Sequence, residues 1–108
     1  MKGSAVGERV FEGLKVIDCA SFIAGPAAAT VMSDFGAEVI KIEPPGTGDP
    51  YRRRATPPVG PGLATNPGFV LGGRNKKSLA LDLRAPAGQA VLRRLVADAD
   101  VFITNYPR

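Results

Sequence analysis

The sequence contains no histidine and a single cysteine, Cys19, among its 108 residues. Without histidine the chain lacks the commonest general base and metal ligand, so a Ser-His-Asp triad is excluded and no metal site is expected. One cysteine excludes an internal disulfide framework. We therefore expect Cys19 to act as a small buried hydrophobic residue in a protein of the reducing cytoplasm.

Long apolar runs are also missing, so we expect no membrane-spanning segment and no membrane partner. Aromatic residues make up only 6% of the chain, so stacking platforms for nucleic-acid bases are scarce and no nucleic-acid partner is expected. Hydrophobic residues make up 44% and charged residues 22%, which is typical of a folded domain with a buried core.

The two halves of the chain differ in charge. Residues 1–50 hold four basic and seven acidic side chains, whereas residues 51–108 hold ten basic and three acidic ones. This excess of positive charge in the second half predicts an anionic ligand, although a solvated surface explains many such charges equally well.

Hydrophobic patterning predicts the order β-α-β, long loop, β-α-β. After a lead-in over residues 1–13, one incomplete domain is predicted over residues 14–108. Its predicted strands cover residues 14–20, 38–43, 77–83 and 100–105, and its predicted helices run from Pro26 to the stop at Gly36 and over residues 85–99. Proline and glycine fill residues 44–74, where neither helix nor strand is expected.

Side-chain spacing predicts which helix faces are buried. The first helix places Ala28, Met32 and Phe35 on one face, and the second buries Val91, Leu92, Leu95 and Val96. Asp18 and Asp82 lie in predicted strands, and we expect structural roles for both.

The alternation of strands and helices predicts an α/β fold with a largely parallel sheet. Ligands of such sheets bind outside the carboxyl ends of the strands, here near residues 20–25, 43–48, 83–84 and 105–108. So few strands would leave apolar faces uncovered, so we expect this segment to be the N-terminal part of a longer protein.

Three groups of residues at or near these strand ends are candidates for phosphate binding. Gly25 would let a ligand approach free backbone amides, unless it belongs to an ordinary strand-to-helix turn. Gly46 and Gly48 could form an anion-binding concavity. The candidate cations are Arg52, Arg53, Arg54, Arg74, Lys76, Lys77 and Arg84, with solvated side chains as the alternative.

Four motifs occur in the order "AGP", "GAEVIKIEPPGTGD", "NKKSLALDL" and "ADVFITNY". At these spacings the set resembles the N-terminal region of the class III coenzyme A transferases, the family of formyl-CoA transferase, carnitine CoA-transferase and α-methylacyl-CoA racemase. The resemblance extends from about Gly13 to the last residue, apart from a variable stretch near residues 53–70.

The resemblance implies a Rossmann-like domain, an interlocked homodimer in the full-length protein and coenzyme A (CoA) along the carboxyl ends of the sheet. The chain departs from the family at Pro44, where some members have a basic residue, and at Ala85, where many have a helix-capping Ser or Thr. Arg84 or an arginine from 52 to 54 would then balance CoA phosphate. The CoA contacts implied are Ile23, Ala24, Leu81, Asp82, Leu83, Arg84, Asn105, Tyr106 and Pro107.

The resemblance also implies the reaction, which moves CoA from an acyl-CoA to a carboxylic acid through an aspartyl anhydride. The catalytic aspartate of relatives lies beyond position 108, so no residue of this chain is assigned a catalytic role. Three alternatives stay open: an acyl-CoA racemase of the same family, a truncated CoA- or nucleotide-binding fragment without turnover, and a structural fragment that needs a partner.

Overall fold

The structure is a computed structural model that describes residues 9–53 and 66–107. Within these residues the regular elements alternate along the chain. They are β1 (Lys15–Cys19), α1 (Ala24–Asp34), β2 (Glu38–Glu43), a 3-10 turn (Pro50–Arg52), α2 (Pro67–Gly72), β3 (Lys76–Ala80), α3 (Pro86–Ala97) and β4 (Val101–Thr104).

The four strands form one parallel sheet in the order β3-β2-β1-β4. Val16 in β1 is paired with Val39 in β2 on one side and with Val101 in β4 on the other. The predicted α/β fold with a parallel sheet is therefore confirmed. Because β4 returns to the far side of β1, the direction of strand addition reverses between β1 and β4.

The central strands β1 and β2 are largely buried on both faces, as in most parallel sheets, whereas the edge strands β3 and β4 contain exposed residues. One face packs Val16 and Val39 against Ala29 of α1. The other packs Ile17 and Ile42, with Cys19, against α3. Burying each large aliphatic side chain stabilises the fold by about 1.5–3 kcal/mol. Cys19 is 2% exposed, and burial raises the pKa of its thiol, so its predicted role as a buried hydrophobic residue is confirmed.

Helix α1 begins at Ala24, two residues before the predicted start at Pro26, and Gly36 ends it with a φ of 106° that favours glycine. The predicted face was wrong for Ala28, which is exposed, and for Phe35, which is 49% exposed beyond the helix end, whereas Met32 packs against the core as predicted. The residues that face inward are small ones, which let the helix lie close to the sheet: Pro26, Ala29, Thr30 and Ser33.

The region predicted to lack regular structure contains helix α2. Asn66 caps it by accepting a hydrogen bond from the Gly68 amide, and Pro67 occupies its first position, where a missing N–H costs nothing. The prediction was wrong here because proline was weighed only as a breaker. Residues 54–65 of the predicted loop, including Arg54, lie outside the described residues.

Strand β3 ends at Ala80 rather than at the predicted residue 83, although Leu79, Leu81 and Leu83 all pack against the core beneath α3. Helix α3 has no side-chain cap at Ala85, as predicted from the missing Ser or Thr. Its inward residues Leu92, Leu95 and Val96 agree with the prediction, whereas Val91 is 36% exposed.

Residues 1–8 of the predicted lead-in lie outside the described residues, while Phe11 packs against the core and its ring centroid lies 6.1 Å from that of Phe35. Among the residues that the structure describes, none of the helices is long and apolar enough to span a bilayer.

Candidate functional site

A groove of about 540 Å³ lies beyond the carboxyl ends of β2 and β3. Because all four strands are parallel, the segments that follow them meet at this one edge of the sheet. The volume lies within the range of small-molecule sites. The lining residues are Ile42, Glu43, Pro44, Pro45, Thr47, Leu81, Asp82, Leu83, Arg84 and Tyr106.

The groove brings together five of the nine residues implied as CoA contacts: Leu81, Asp82, Leu83, Arg84 and Tyr106. Four come from the segment between β3 and α3, and the fifth follows β4. Leucines and prolines give the groove apolar walls, and Glu43, Thr47, Asp82, Arg84 and Tyr106 add polar groups. Such a combination suits a ligand with both apolar and anionic parts.

Arg84 is the most accessible cation of the groove, with a side chain that is 93% exposed. Asp82 shapes its surroundings, since Asp82 Oδ1 accepts a hydrogen bond of 3.0 Å from the Arg84 backbone amide. The Arg84 Nε lies 3.4 Å from the same oxygen. The other guanidinium nitrogens have no partner among the described residues, so they are available to an anion.

Asn105 joins the loops that follow β1 and β4, where the sheet reverses its strand order. Its Oδ1 accepts a hydrogen bond of 2.9 Å from the Ser21 amide, and its Nδ2 donates one of 2.8 Å to the Ser21 carbonyl. Burial raises the pKa of the neighbouring Tyr106 hydroxyl, although a hydrogen bond with Ser21 opposes the rise. Tyr106 therefore remains a neutral phenol at physiological pH, and Pro107 follows it as an exposed residue.

Ile23 and Ala24 lie at the N-terminus of α1, where Ile23 is 62% exposed. They share the ligand-facing edge of the sheet but do not line the groove. Gly25 has a packing role: a Cβ on it would lie 2.7 Å from the Ala20 Cβ and 3.3 Å from an Ile103 methyl. Close contact of helix and strands therefore requires glycine at this position, and the hypothesis of an ordinary strand-to-helix turn explains it.

Three of the cations predicted for phosphate contact carboxylates at 2.9 Å or less, while Lys77 and Arg84 form looser pairs at 3.7 and 3.4 Å. Arg52 makes a two-pronged contact with Glu43, with nitrogen–oxygen distances of 2.6 and 2.8 Å. Arg74 contacts Asp34 at 2.6 Å. Lys76 is buried, with a side chain 3% exposed. The prediction was wrong for the buried Lys76, whereas the Arg52 and Arg74 side chains are 43% and 42% exposed and phosphate binding by them stays a prediction. The carboxylate partners of all three are 9 to 58 positions away in sequence, so these pairs were not predicted.

A buried set of four charged side chains lies on the α1 face of the sheet, and the sequence analysis did not identify it as a group. Lys41 Nζ lies 2.9 Å from Asp49 Oδ2 and 3.7 Å from Asp18 Oδ2. Lys76 Nζ lies 2.9 Å from Asp18 Oδ2. The predicted structural role of Asp18 is confirmed. The missed signal was a charged residue, Asp18 or Lys41, inside each of two predicted strands, whereas Lys76 directly precedes the third predicted strand.

Glu43, at the end of β2, connects this set with the groove. Its carboxylate accepts hydrogen bonds from Arg52, from the Ser78 hydroxyl and from the Asp49 amide. Burial by itself would raise the pKa of Glu43, but these hydrogen bonds outweigh it and lower the pKa to about 2. Glu43 is therefore charged at neutral pH and holds the turn over residues 44–49 in place.

Acidification should remove this stabilisation. The ordinary pKa of Glu is 4.5, and the pKa of Glu43 in the folded protein is about 2. The stabilisation of the folded state by the Glu43 carboxylate is therefore complete above pH 4.5 and is lost as pH falls toward 2. We expect a loss of about 3 kcal/mol in the free energy of unfolding over that range. Urea titrations along a pH series would measure it.

A Glu43→Gln variant should have a much flatter stability profile between pH 4.5 and 2. Glu38→Gln is the control, since Glu38 begins the same strand but is half-exposed and 3.7 Å from Lys77. Equal pH dependence in wild type and Glu43→Gln would contradict this assignment.

With this geometry in place, the chain can be compared with known proteins. A family model described as CoA-transferase family III matches residues 11–108. The chain belongs to CoA-transferase family III. This membership confirms the resemblance to the class III CoA transferases inferred from the four motifs.

Relatives of this family III chain carry transferase names. It is 40% identical over 104 residues to succinyl-CoA–D-citramalate CoA-transferase of Chloroflexus aurantiacus, covering 91% of the chain and 24% of the relative. It is 39% identical over 104 residues to the alpha subunit of succinyl-CoA–L-malate CoA-transferase of the same organism, covering 96% of the chain and 24% of the relative.

A crystal structure of a CaiB/BaiF family protein from Brucella suis has the same fold, with a TM-score of 0.81 and 38% identity. The match covers 92% of this chain and 26% of that protein. The family III chain therefore spans about a quarter of the length of the proteins it matches.

Proposed function

We propose that this chain forms the CoA-binding N-terminal segment of an enzyme that transfers CoA between an acyl-CoA and a carboxylic acid. The observation that carries the proposal is the groove at the ends of β2 and β3. It brings together five of the residues implied as CoA contacts. They include two leucines of the apolar walls and Arg84, whose guanidinium group is accessible.

Each part of the groove suits one part of CoA. The Leu81 and Leu83 side chains offer apolar surface to the pantetheine arm or the adenine ring. Arg84 offers charge-assisted hydrogen bonds to phosphate oxygens, for which a guanidinium group is well shaped. The remaining proposed contacts, Ile23, Ala24, Asn105 and Pro107, lie along the same edge of the sheet toward the reversal point between β1 and β4.

The proposed chemistry is covalent catalysis by an aspartate outside this chain. Its carboxylate attacks the thioester carbonyl, so that an acyl-aspartyl anhydride forms and CoA leaves as a thiolate. The thiolate then attacks the aspartyl carbonyl, which gives an aspartyl-CoA thioester and releases the first acid. The acceptor acid repeats these two steps in reverse, and the hard acyl exchange is divided into easier ones.

The transferase names of the relatives favour CoA transfer over racemisation. An assay that supplies an acyl-CoA and a free carboxylic acid separates the two reactions. A transferase forms a new acyl-CoA that mass spectrometry detects, whereas a racemase exchanges the α-hydrogen for solvent deuterium without a second acid. A polypeptide that binds CoA but does neither would be the non-catalytic fragment, and one that fails to bind CoA would be structural.

Arg84→Ala tests the groove as the CoA site. We expect the dissociation constant for CoA to rise about tenfold at low salt, equivalent to about 1.4 kcal/mol, and less at high salt, because salt screens an exposed ion pair. Isothermal titration calorimetry at two salt concentrations measures both values. Arg93→Ala is the control, since it removes the same charge from an exposed position on α3. Unchanged CoA affinity at both salt concentrations would defeat the assignment.

We also propose a homodimer for the full-length protein, in line with its resemblance to interlocked family members. The proposed compartment is the cytoplasm, where the buried Cys19 thiol stays reduced. Light scattering on the full-length protein would measure the molecular mass.

A further inference from the structure

The loop between β1 and α1 is held by side chains that come from elsewhere in the fold. Lys41 Nζ, from β2, donates a hydrogen bond of 3.1 Å to the Ala20 carbonyl. Lys76 Nζ, from β3, donates one of 2.7 Å to the Pro26 carbonyl. Asp49 Oδ1, from the segment after β2, accepts one of 3.4 Å from the Phe22 amide. The start of the loop, its middle and the first turn of α1 are thereby fixed.

Phe22 occupies a costly backbone conformation between these contacts. Its φ is 66°, in the left-handed region that bulky residues rarely adopt. Such a conformation persists only where the surrounding structure enforces it, and such sites cluster where ligands bind. Packing restrains the ring only loosely, since Phe22 is 40% exposed and its ring centroid lies 6.4 Å from that of Tyr51. The contact with Asp49 is therefore a polar restraint on Phe22 itself, beside the two hydrogen bonds that Asn105 makes to the adjacent Ser21.

The charges that make these contacts are expensive to bury. Asp18 and Asp49 are 0% and 2% exposed, and the Lys41 and Lys76 side chains are each 3% exposed. Two lysines and two aspartates balance in charge. Apolar side chains of similar volume often stabilise a fold as well as a buried ion pair does. The stability of the fold therefore does not by itself explain why Lys41 and Asp49 are buried as an ion pair. Their hydrogen bonds to the loop between β1 and α1 provide a specific explanation.

We propose that Lys41 and Asp49 are positioning residues that hold the β1–α1 loop, and with it Ile23 and Ala24, in the geometry that meets CoA. The identity of the ligand, CoA, rests on the proposed function. The positioning of the loop rests on the hydrogen bonds that Lys41 and Asp49 make to it. Because the loop is fixed before CoA arrives, binding does not have to order it, and preorganisation of this kind increases affinity.

The double variant Lys41→Met/Asp49→Leu separates positioning from stability. It removes one positive and one negative charge, so the remaining pair Asp18–Lys76 stays balanced. We expect the thermal midpoint to change little, the Phe22 amide to exchange its hydrogen at least about tenfold faster, and the dissociation constant for CoA to rise about tenfold. NMR-detected hydrogen exchange and calorimetry measure these quantities.

Asp49→Asn provides the conservative rescue, since its amide oxygen can still accept from the Phe22 and Tyr51 amides as Asp49 Oδ1 does. We expect the Phe22 exchange rate and the CoA affinity to stay within about threefold of wild type. Asp34→Asn/Arg74→Met is the matched control. It removes an ion pair of 2.6 Å at the other end of α1, and neither measured quantity should change.

Two results would overturn the proposal. One is a folded Lys41→Met/Asp49→Leu variant with wild-type exchange at Phe22 and wild-type CoA affinity. The other is a Phe22 amide that exchanges in wild type as fast as an unprotected amide, and this result decides the matter even if the double variant fails to fold. A failure of the proposed function gives a different result: calorimetry then detects no binding of CoA to the wild-type protein. The hydrogen-exchange rate of the Phe22 amide would still show whether Lys41 and Asp49 hold the loop.

Discussion

Lys76→Met is expected to lower the free energy of unfolding by about 4 kcal/mol. The substitution removes the ammonium group that lies 2.9 Å from Asp18 Oδ2, while Asp18 itself is 0% exposed. Lys41 cannot fully replace it, because its Nζ is 3.7 Å from the same oxygen and is engaged with Asp49. The variant therefore buries a poorly compensated carboxylate and also leaves the Pro26 carbonyl without its donor.

Urea unfolding at neutral pH measures this loss. Burial lowers the pKa of Lys76 even though Asp18 opposes the change, which shows how strongly the ammonium group is desolvated.

The neighbouring residue supplies a matched control for the same chemical change. Lys77 is 73% exposed and lies 3.7 Å from Glu38, which is itself half-exposed. Lys77→Met should therefore change the free energy of unfolding by no more than about 0.5 kcal/mol. Equal losses for the two substitutions would show that the buried ion pairs are not what makes Lys76 important.

Gly88→Ala is expected to lower the free energy of unfolding by about 3 kcal/mol. Gly88 is the third residue of α3, and a Cβ there would lie 2.0 Å from the Asp82 carbonyl oxygen and 2.8 Å from its carbon. Backbone cannot move aside as a flexible side chain can, so α3 or the segment over residues 82–85 must shift. Since that segment lines the groove, CoA affinity should fall along with stability.

Gly72→Ala is the control for this substitution. Gly72 ends helix α2, and an added Cβ would meet no atom within 4 Å. Alanine there should be neutral or slightly stabilising, because it reduces the conformational freedom of the unfolded chain. Thermal unfolding of the two variants compares them directly. A Gly88→Ala protein as stable as wild type would mean that the close contact between α3 and Asp82 relaxes without cost.

The fold was predictable to the extent that it depends on local pattern. Alternation of apolar strands with amphipathic helices indicated the parallel α/β sheet, and Gly36 marked the end of α1. Helix α2 was not predicted because Asn66 and Pro67 lie in a segment rich in proline and glycine. Such a composition is typical of a loop, although Asn66 and Pro67 here form the capped start of a short helix. The inward face of α1 was misjudged because the sheet accepts small residues such as Ala29 and Ser33, which carry a weak hydrophobic signal.

The candidate site was predictable in part for a similar reason. Arg84 follows the third predicted strand and the resemblance added Leu81, Asp82 and Leu83 at its end, so the resemblance and the strand order point to the same edge of the sheet. The roles of Arg52 and Lys76 were not predictable. A basic side chain beside a glycine-rich turn has the same sequence pattern whether it meets a phosphate or a carboxylate of its own chain.

By itself the sequence determined the order of the four strands and of α1 and α3, the parallel sheet and the family, because these follow from periodicity and motif spacing along the chain. Only the tertiary structure decided which charges are free and which are paired. Partners such as Asp18 and Lys76 are separated by 58 positions and meet only once β1, β2 and β3 align. Electrostatic pairing depends on distance in space and on burial, and neither quantity is encoded in local pattern.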